Sequence, residues 1–353
     1  MSSVPFAKMQ AVGNDFVVVE QVAWPADTDW SAQAIRLCDR KFGIGADGLL
    51  VVCPSEAANI RMRMFNPDGT EDMCGNGLRC VIRYGYEHRL FSRELYNYPE
   101  PEDRWRAHLA GTAETLDGVH AFELSLESWA GDEHLDVLLH HAAPQGGWSG
   151  VDLEALEQDL QVVSPDTRHT DLDNDIELNP PKFTPADLPM TAPADLDRIL
   201  DYPLPVEGYG DIQVSTVNTG STHTVLWVDT LPDDARFFDL SPRIENHPLY
   251  PERTSVLWAM VDGQDENDYD LIRARIWERG AGETLGCGTG ACAIVVLAQV
   301  QSKLPRADRP KRISVRSPGG TLQAFWKGGP NDNVRLSGPA FIVYEGHIPY
   351  RPE

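Results

Sequence analysis

Residues 60–77 read IRMRMFNPDGTEDMCGNG, and residues 272–290 read IRARIWERGAGETLGCGTG. Both copies begin with side chains that alternate with period two, as in a strand with one buried face. Each copy then passes through a glycine-rich turn into a Cys-Gly-x-Gly segment that begins at Cys74 or at Cys287. The strands start 212 residues apart (272 minus 60) and the cysteines lie 213 apart (287 minus 74), so only the turn differs in length. We interpret the pair as an internal duplication, which sets the architecture of the chain.

Helical patterns follow both Cys-Gly-x-Gly segments. Leu78, Val81 and Ile82 fall on one helix face, whereas residues 291–300 are apolar nearly all round, which predicts a buried second helix. A weaker echo joins residues 13–19 and 220–226, each a glycine turn that opens a β-rich run. We therefore predict an α+β fold of two pseudo-symmetric lobes. Each lobe would be a mostly antiparallel β-barrel-like sheet around a central helix, with the active site in the cleft between them.

The same patterns suggest how the chain is divided. The N-terminal lobe would comprise residues 1–128 plus 333–353 and carry Cys74, and the C-terminal lobe residues 172–332 and carry Cys287. Between them, the Pro- and Asp-rich stretch 129–171 is predicted to be a linker or surface insertion. Residues 313–325 predict a hairpin, and residues 334–344 a final strand.

Composition excludes several classes of partner. The chain has 353 residues, with 30 Lys plus Arg against 54 Asp plus Glu and a formal charge of −24, so its surface repels nucleic acids and anionic membranes. This acidity is compatible with a saline cytoplasm or with an ordinary soluble protein. No apolar run reaches the length of a membrane span, and the N-terminus lacks the order of a signal peptide. We expect a cytoplasmic protein that acts on a small molecule, and a homodimer is compatible with the sequence.

The six cysteines are spread along the chain and are expected to be free thiols. No C-x-x-C pair or clustered His/Cys spacing is present, so we expect neither a metal nor another cofactor. For most of these cysteines burial as small apolar residues is the default. For Cys74 and Cys287 the duplication favours a chemical role instead.

A cysteine at a helix N-terminus is suited to acid–base chemistry. The unpaired backbone N–H groups and the positive end of the helix dipole favour a thiolate. The glycines that follow let a substrate carboxylate approach these N–H groups closely. Two such cysteines on opposite faces of one carbon could supply the base and the acid that inversion requires. At the ends of the repeated strands, Asn66 and Glu278 could then hold a substrate ammonium group.

The motifs resemble those of the diaminopimelate epimerase family. The resemblance covers residues 66–79, with Thr70 where serine is usual, and residues 278–291 around the second cysteine. It extends to residues 13–16, 40–48, 336–340 and 343–346, and so to almost the whole chain outside the insertion.

The resemblance implies an interconversion of LL- and meso-2,6-diaminopimelate without metal or pyridoxal phosphate, in lysine and peptidoglycan precursor synthesis. Cys74 and Cys287 would be the proton donor and acceptor. The backbone N–H groups that bind the reacting carboxylate would belong to Gly75, Asn76, Gly288 and Thr289. Further substrate contacts would come from Asn14, Asn66, Glu278 and Arg279, with His223 supporting the site.

Three departures from the family pattern bear on the substrate. Ser221 and Ser255 stand where asparagines are common, and both positions concern the distal end of the substrate. Asn218 lies close enough in sequence to Ser221 to compensate for the missing amide. The third departure, residues 8–11 (KMQA), leaves the proton-transfer residues unchanged.

Two other functions remain open at this point. One is another two-cysteine racemase or isomerase of the same fold, such as a proline or hydroxyproline racemase, which would differ in the distal pocket. The other is a dithiol redox protein whose paired cysteines cycle through a disulfide. Incorporation of solvent deuterium at the α-carbon under reducing conditions would identify an epimerase.

Overall fold

The computed structural model of the chain describes residues 3–88, 90, 95–99, 104–129, 172–191, 196–304 and 312–349. The predicted insertion at 129–171 lies outside these residues except for Trp129, where a strand ends. The α-helices of the described ranges are α1 (Trp30–Cys38), α2 (Gly75–Glu87), α3 (Asp234–Glu245) and α4 (Gly288–Val300). In these ranges, no helix combines the length and the apolar character that a membrane span needs.

Most of the remaining described residues form strands. In chain order these are β1 (Ser3–Ala11), β2 (Asn14–Glu20), β3 (Gly48–Cys53), β4 (Ile60–Phe65), β5 (Glu71–Asp72), β6 (Leu95–Pro99), β7 (Arg104–Thr115), β8 (Gly118–Trp129), β9 (Leu172–Leu178), β10 (Ile199–Val206), β11 (Gly210–Asn218), β12 (Thr222–Trp227), β13 (Ser255–Gln264), β14 (Asp270–Glu278), β15 (Gly282–Thr284), β16 (Ile313–Ser317), β17 (Gly320–Trp326), β18 (Val334–Pro339) and β19 (Phe341–Pro349).

The strand pairings repeat between the two halves of the chain. In the first half β1 pairs with β2 antiparallel, β2 with β3 parallel, β3 with β4 antiparallel and β4 with β7 parallel. In the second half the same sequence of directions runs from β11 through β12, β13 and β14 to β16. The helices repeat as well, because α1 and α3 precede the third strand of each half and α2 and α4 follow the cysteines. The duplication seen in the sequence is therefore a duplication of the fold, as predicted.

The two halves are joined through their last strands. β9 pairs with β8 of the first half and with β18 of the second, and β18 also pairs with β17. β9 and β18 hold equivalent places in the repeat, so the two halves are hydrogen-bonded to each other through matching strands. Among the described strands, the resulting ladder is open and ends at β19 and β10, so the sheets wrap their helices without closing into barrels.

Each half has three layers, with a helix on both faces of its sheet. The inner helices α2 and α4 lie in one shared apolar core, where Leu78, Val81 and Ile82 are fully buried, as predicted. Residues 291–298 of α4 are buried on every side, which explains their continuous apolar character. The outer helices α1 and α3 each pack on their own apolar cluster at the opposite sheet face.

The C-terminal region follows the prediction in part. β16 and β17 form the predicted hairpin, closed at Ser317 and Gly320. The predicted strand at 334–344 is instead two strands that part at Ala340. Pro339 is the last residue of the β18 ladder, opposite Asp173, and has no backbone N–H group to donate; after it, β19 moves on to pair with β1.

Candidate active site

Cys74 and Cys287 occupy the N-cap positions of α2 and α4. Both have extended backbone angles (φ −144° and −132°), and both sulfur atoms accept a hydrogen bond from the backbone of the third residue along the helix. These bonds come from Gly77 N, at 3.4 Å, and from Gly290 N, at 3.3 Å. The two cysteines therefore have the same local geometry, as expected from the repeat.

The N-termini of the two helices meet at the junction of the lobes. A methyl group added to Gly75 would lie 3.8 Å from the backbone nitrogen of Thr289. One added to Gly288 would lie 3.0 Å from Asn76 Oδ1. Asn76 also donates a hydrogen bond to the carbonyl oxygen of Gly286, 3.1 Å away in the other lobe. The structure thus brings together the four residues whose N–H groups were assigned to the substrate carboxylate.

The amide of Asn14 lies beside Cys74. Its Oδ1 is 3.9 Å from the Cys74 sulfur and accepts a hydrogen bond from Asn76 Nδ2 at 3.4 Å. Its Nδ2 donates to the carboxylate of Asp47 at 2.7 Å. The Cys74 thiol can therefore donate to an amide oxygen.

Cys287 lies beside an imidazole and a carboxylate. Its sulfur is 3.7 Å from Nε2 of the buried His223, which in turn lies 3.3 Å from the hydroxyl of Thr289. The carboxylate of Glu278 also acts electrostatically on the Cys287 thiol. The hydroxyl of Thr284 donates to Glu278 at 2.6 Å.

The tautomer of His223 follows from its partner. Nδ1 lies 2.8 Å from the carbonyl oxygen of Ser221, which can only accept, so Nδ1 carries the proton and Nε2 presents a lone pair. Burial lowers the pKa of His223 to about 4, and the positive charge of Arg279 acts in the same direction. The ring is neutral at pH 7, and its lone pair faces the Cys287 sulfur.

Burial also dominates the pKa of both thiols. It raises the pKa of Cys74 to about 12, although the hydrogen bond from Gly77 N lowers it. It raises the pKa of Cys287 well above its ordinary value, and the carboxylate of Glu278 adds to the increase. The sequence predicted that the helix N-termini favour thiolates. Their effect has the predicted sign, but desolvation outweighs it, so both cysteines rest as thiols.

The remaining predicted site residues make hydrogen bonds to their own neighbours. Arg279 donates its backbone N–H to Ser255 Oγ at 3.1 Å and its guanidinium to the carbonyl of Glu252 at 3.3 Å. Asn66 follows β4 and donates its side chain to Thr70 at 3.1 Å. Asn218 accepts from Gly220 N at 3.0 Å and donates to the carbonyl of Asp187 at 3.3 Å, so its amide is already paired.

Sequence reasoning missed three polar residues of the site. Asp47 orients Asn14, Thr284 binds Glu278, and Arg79 is fully buried behind the two helix N-termini. All three lie within the motifs already quoted, but no spacing rule connects them to the cysteines. A charged residue inside the buried helix that follows Cys74 was the one signal that could have drawn attention to Arg79. Among the described residues, no group of three or more His, Cys, Asp or Glu side chains is arranged to hold a metal ion.

Comparisons of sequence point to one family. The family model described as "Diaminopimelate epimerase" matches residues 6–101 and 215–342. The diaminopimelate epimerase of Pelotomaculum thermopropionicum is 34% identical over 348 residues, which cover 98% of this chain and 99% of the relative. That of Bacillus cytotoxicus is 31% identical over 356 residues and the full length of both chains.

Comparisons of structure find the same fold in more distant proteins. A probable proline racemase from Agrobacterium radiobacter aligns with a TM-score of 0.61 at 13% identity, covering 99% of this chain and 94% of that one. A hydroxyproline epimerase from Agrobacterium vitis aligns with a TM-score of 0.57 at 13% identity, covering 98% and 92%. At this level of identity the likeness concerns the fold alone.

Proposed function

The chain belongs to the diaminopimelate epimerase family, and we propose that it interconverts LL- and meso-2,6-diaminopimelate with Cys74 and Cys287 as the two proton-transfer groups. The protein is an isomerase, and the reaction belongs to lysine biosynthesis. The observation that carries the proposal is the meeting of two cysteine-capped helix N-termini at the junction of the lobes.

This arrangement suits an α-carboxylate. The backbone N–H groups of Gly75, Asn76, Gly288 and Thr289 would bind it, with the positive ends of both helices behind them. Removing the α-proton places negative charge on this carboxylate, and preorganised N–H groups then stabilise the transition state more than the ground state.

Inversion requires one thiolate and one thiol. The thiolate takes the α-proton as the C–H bond breaks, and the electron pair of that bond delocalises into the carboxylate. The second cysteine gives its proton to the opposite face of the planar carbon and becomes the thiolate. One turnover thus exchanges the protonation states of the cysteines, and the reverse reaction starts from the exchanged state.

His223 supplies a route to the first thiolate. Its Nε2 lone pair faces the Cys287 sulfur at 3.7 Å and can accept the thiol proton. Among the described side chains, Cys74 can donate to the amide oxygen of Asn14, 3.9 Å away, which is no base at neutral pH. We infer that Cys287, a thiol in the resting protein, passes its proton to His223 during the reaction and that Cys74 is then the acid.

The distal end of the substrate would be bound by Ser221 and Ser255, which stand where asparagines are common in the family. Ser255 Oγ already accepts the backbone N–H of Arg279, but a hydroxyl can bind a further partner. Ser221 contributes its carbonyl to His223 Nδ1, and its hydroxyl lies 3.5 Å from His223 Nε2, where it can still bind a further partner. A cytoplasmic location and a homodimer complete the proposal.

The decisive experiment follows proton exchange at the α-carbon. In D2O with reduced protein, we expect conversion of LL-diaminopimelate with deuterium incorporation, and no conversion of proline. Cys74→Ala and Cys287→Ala should each lower kcat by a factor of about 100 or more, because each removes a general acid or base.

The matched controls are Cys80→Ala and Cys292→Ala. These cysteines are buried in the same two helices, away from the N-caps, and their replacement should leave exchange near the wild-type rate. Conversion of proline alone would refute the substrate, and full activity of either N-cap variant would refute the mechanism.

A further inference from the structure

Arg79 is a cation in an unfavourable place. Its side chain is 0% exposed, and it runs back along α2, so that Nη2 donates to Asn76 Oδ1 at 2.7 Å and Nη1 lies 3.5 Å from the carbonyl of Gly75. This direction is the usual one for a long side chain in a helix. It carries the charge towards the N-terminus of α2, where the helix dipole disfavours a cation.

The same guanidinium also lies at the N-terminus of α4. A methyl group added to Gly288 would come within 3.2 Å of Arg79 Nη1. One positive group is therefore shared between the first turns of both cysteine-capped helices, at the junction of the two lobes.

No fixed anion compensates this charge within the part of the chain that the structure describes. The ionisable groups whose charged forms would stabilise Arg79 most are the thiols of Cys80, Cys74, Cys292 and Cys287, and its Nε has no hydrogen-bond partner among the described residues. Burial lowers the pKa of Arg79 but leaves the guanidinium charged. A buried, uncompensated charge is costly, so its retention calls for an anion that forms during function.

We infer that Arg79 is a positioning residue whose buried charge stabilises the anions of the reaction, the cysteine thiolates and the substrate carboxylate, through the helix N-termini and without touching the substrate. The inference rests on the proposed function for its consequence in catalysis. The thiolates themselves can be measured without turnover.

Other ionisable groups near Cys74 and Cys287 could also change the pKa of the two thiols. Glu278 opposes both thiolates, and the neutral His223 lies beside Cys287. Cys80 and Cys292 lie close to Arg79, but burial raises the pKa of both, that of Cys292 to about 12, so they are neutral thiols. Among these groups Arg79 is the one with a positive charge at pH 7.

The test is the rate at which iodoacetamide alkylates Cys74 and Cys287, mapped by mass spectrometry at several pH values on protein whose fold is checked by circular dichroism. Below the thiol pKa this rate is proportional to the fraction of thiolate. Arg79→Lys keeps the charge, whereas Arg79→Gln keeps a donor for Asn76 without the charge. We expect alkylation of both cysteines to be slower by about tenfold or more in Arg79→Gln than in Arg79→Lys.

Arg83 provides a matched control on the same helix. It is also buried, but it lies one turn further from Cys74 and pairs with Glu87. In Arg83→Gln and Arg83→Lys, iodoacetamide should alkylate Cys74 and Cys287 at equal rates. If Arg79→Gln does not fold, Arg79→Met removes the charge with an apolar side chain that needs no buried partner.

Equal alkylation rates in the charged and uncharged Arg79 variants would overturn the inference. Failure of the proposed function would look different, because the alkylation contrast would persist in a protein that does not convert diaminopimelate. A matching loss of kcat/KM in Arg79→Gln, relative to Arg79→Lys, is expected as the catalytic counterpart.

Discussion

The amide orientation of Asn14 is determined by a neighbouring carboxylate. Asp47 Oδ2 can only accept hydrogen bonds, and it takes them from Asn14 Nδ2 at 2.7 Å and from Asp15 N at 3.1 Å. Asn14 must therefore turn its oxygen towards Cys74 and Asn76. Without the carboxylate the amide could flip and present a donor to the thiol instead.

We predict that Asp47→Ala lowers kcat/KM by about tenfold or more, because a hydrogen bond to a charged group contributes about 1.5–3 kcal/mol to the orientation. Arg40→Gln is the control, since exposed Arg40 pairs with the other carboxylate oxygen, Oδ1, and leaves the bond to Asn14 intact. Steady-state kinetics of both variants checks this. An equal loss in the two variants would mean that the ion pair, and not the amide orientation, matters.

At the scale of elements, the turn between β1 and β2 packs tightly against the second lobe. Val12 and Gly13 form its two central residues, both with positive φ, at 46° and 82°. This conformation is strained for a β-branched residue. Val12 is nonetheless 97% buried, because it fits between glycines of the second lobe: a methyl group added to Gly286 would lie 2.6 Å from Val12 Cγ2, and one added to Gly319 would lie 1.8 Å from its carbonyl oxygen.

We predict that Gly319→Ala destabilises the protein by about 3 kcal/mol or more, since the added carbon overlaps backbone that cannot move without separating the lobes. Gly208→Ala is the control. Gly208 has φ 83° and nothing near its added carbon, so only backbone strain of about 1–2 kcal/mol is expected. Chemical denaturation of both variants measures the difference. Similar losses would show that the Val12 turn is not held by shape.

At the scale of the whole molecule, the excess of acidic side chains acts on stability. A formal charge of −24 makes the folded chain repel itself, and this repulsion weakens when salt screens it. Ion pairs on the described surface, such as Arg335 with Glu177, neutralise some carboxylates. With 54 acidic side chains against 30 basic ones, many carboxylates still have no cation to pair with.

We predict that the unfolding temperature at pH 7 rises by several degrees between low salt and 1 M NaCl, because screening relieves the repulsion. Near pH 4.7, the isoelectric point, the same salt step should have a much smaller effect. Thermal denaturation followed by circular dichroism compares the two. An equal rise at both pH values would point to a general salt effect instead of charge repulsion.

The sequence by itself determined the duplicated strand, turn and helix units, the buried second helix and the two N-cap cysteines. These features depend on side-chain periodicity and on residues close together along the chain, which local spacing records. The motif resemblance added the family and the residues around the cysteines.

Tertiary structure decided how the two units are joined and what electrostatic environment the cysteines have. The pairing of β9 with β18, the fit of Val12 between glycines and the place of Arg79 at both helix N-termini all link residues far apart in the chain. The raised pKa of the thiols has the same origin, because desolvation arises from residues that the fold brings around the cysteines from both lobes. Spacing along a sequence cannot report which groups lose their water, and here that loss outweighs the helix dipole.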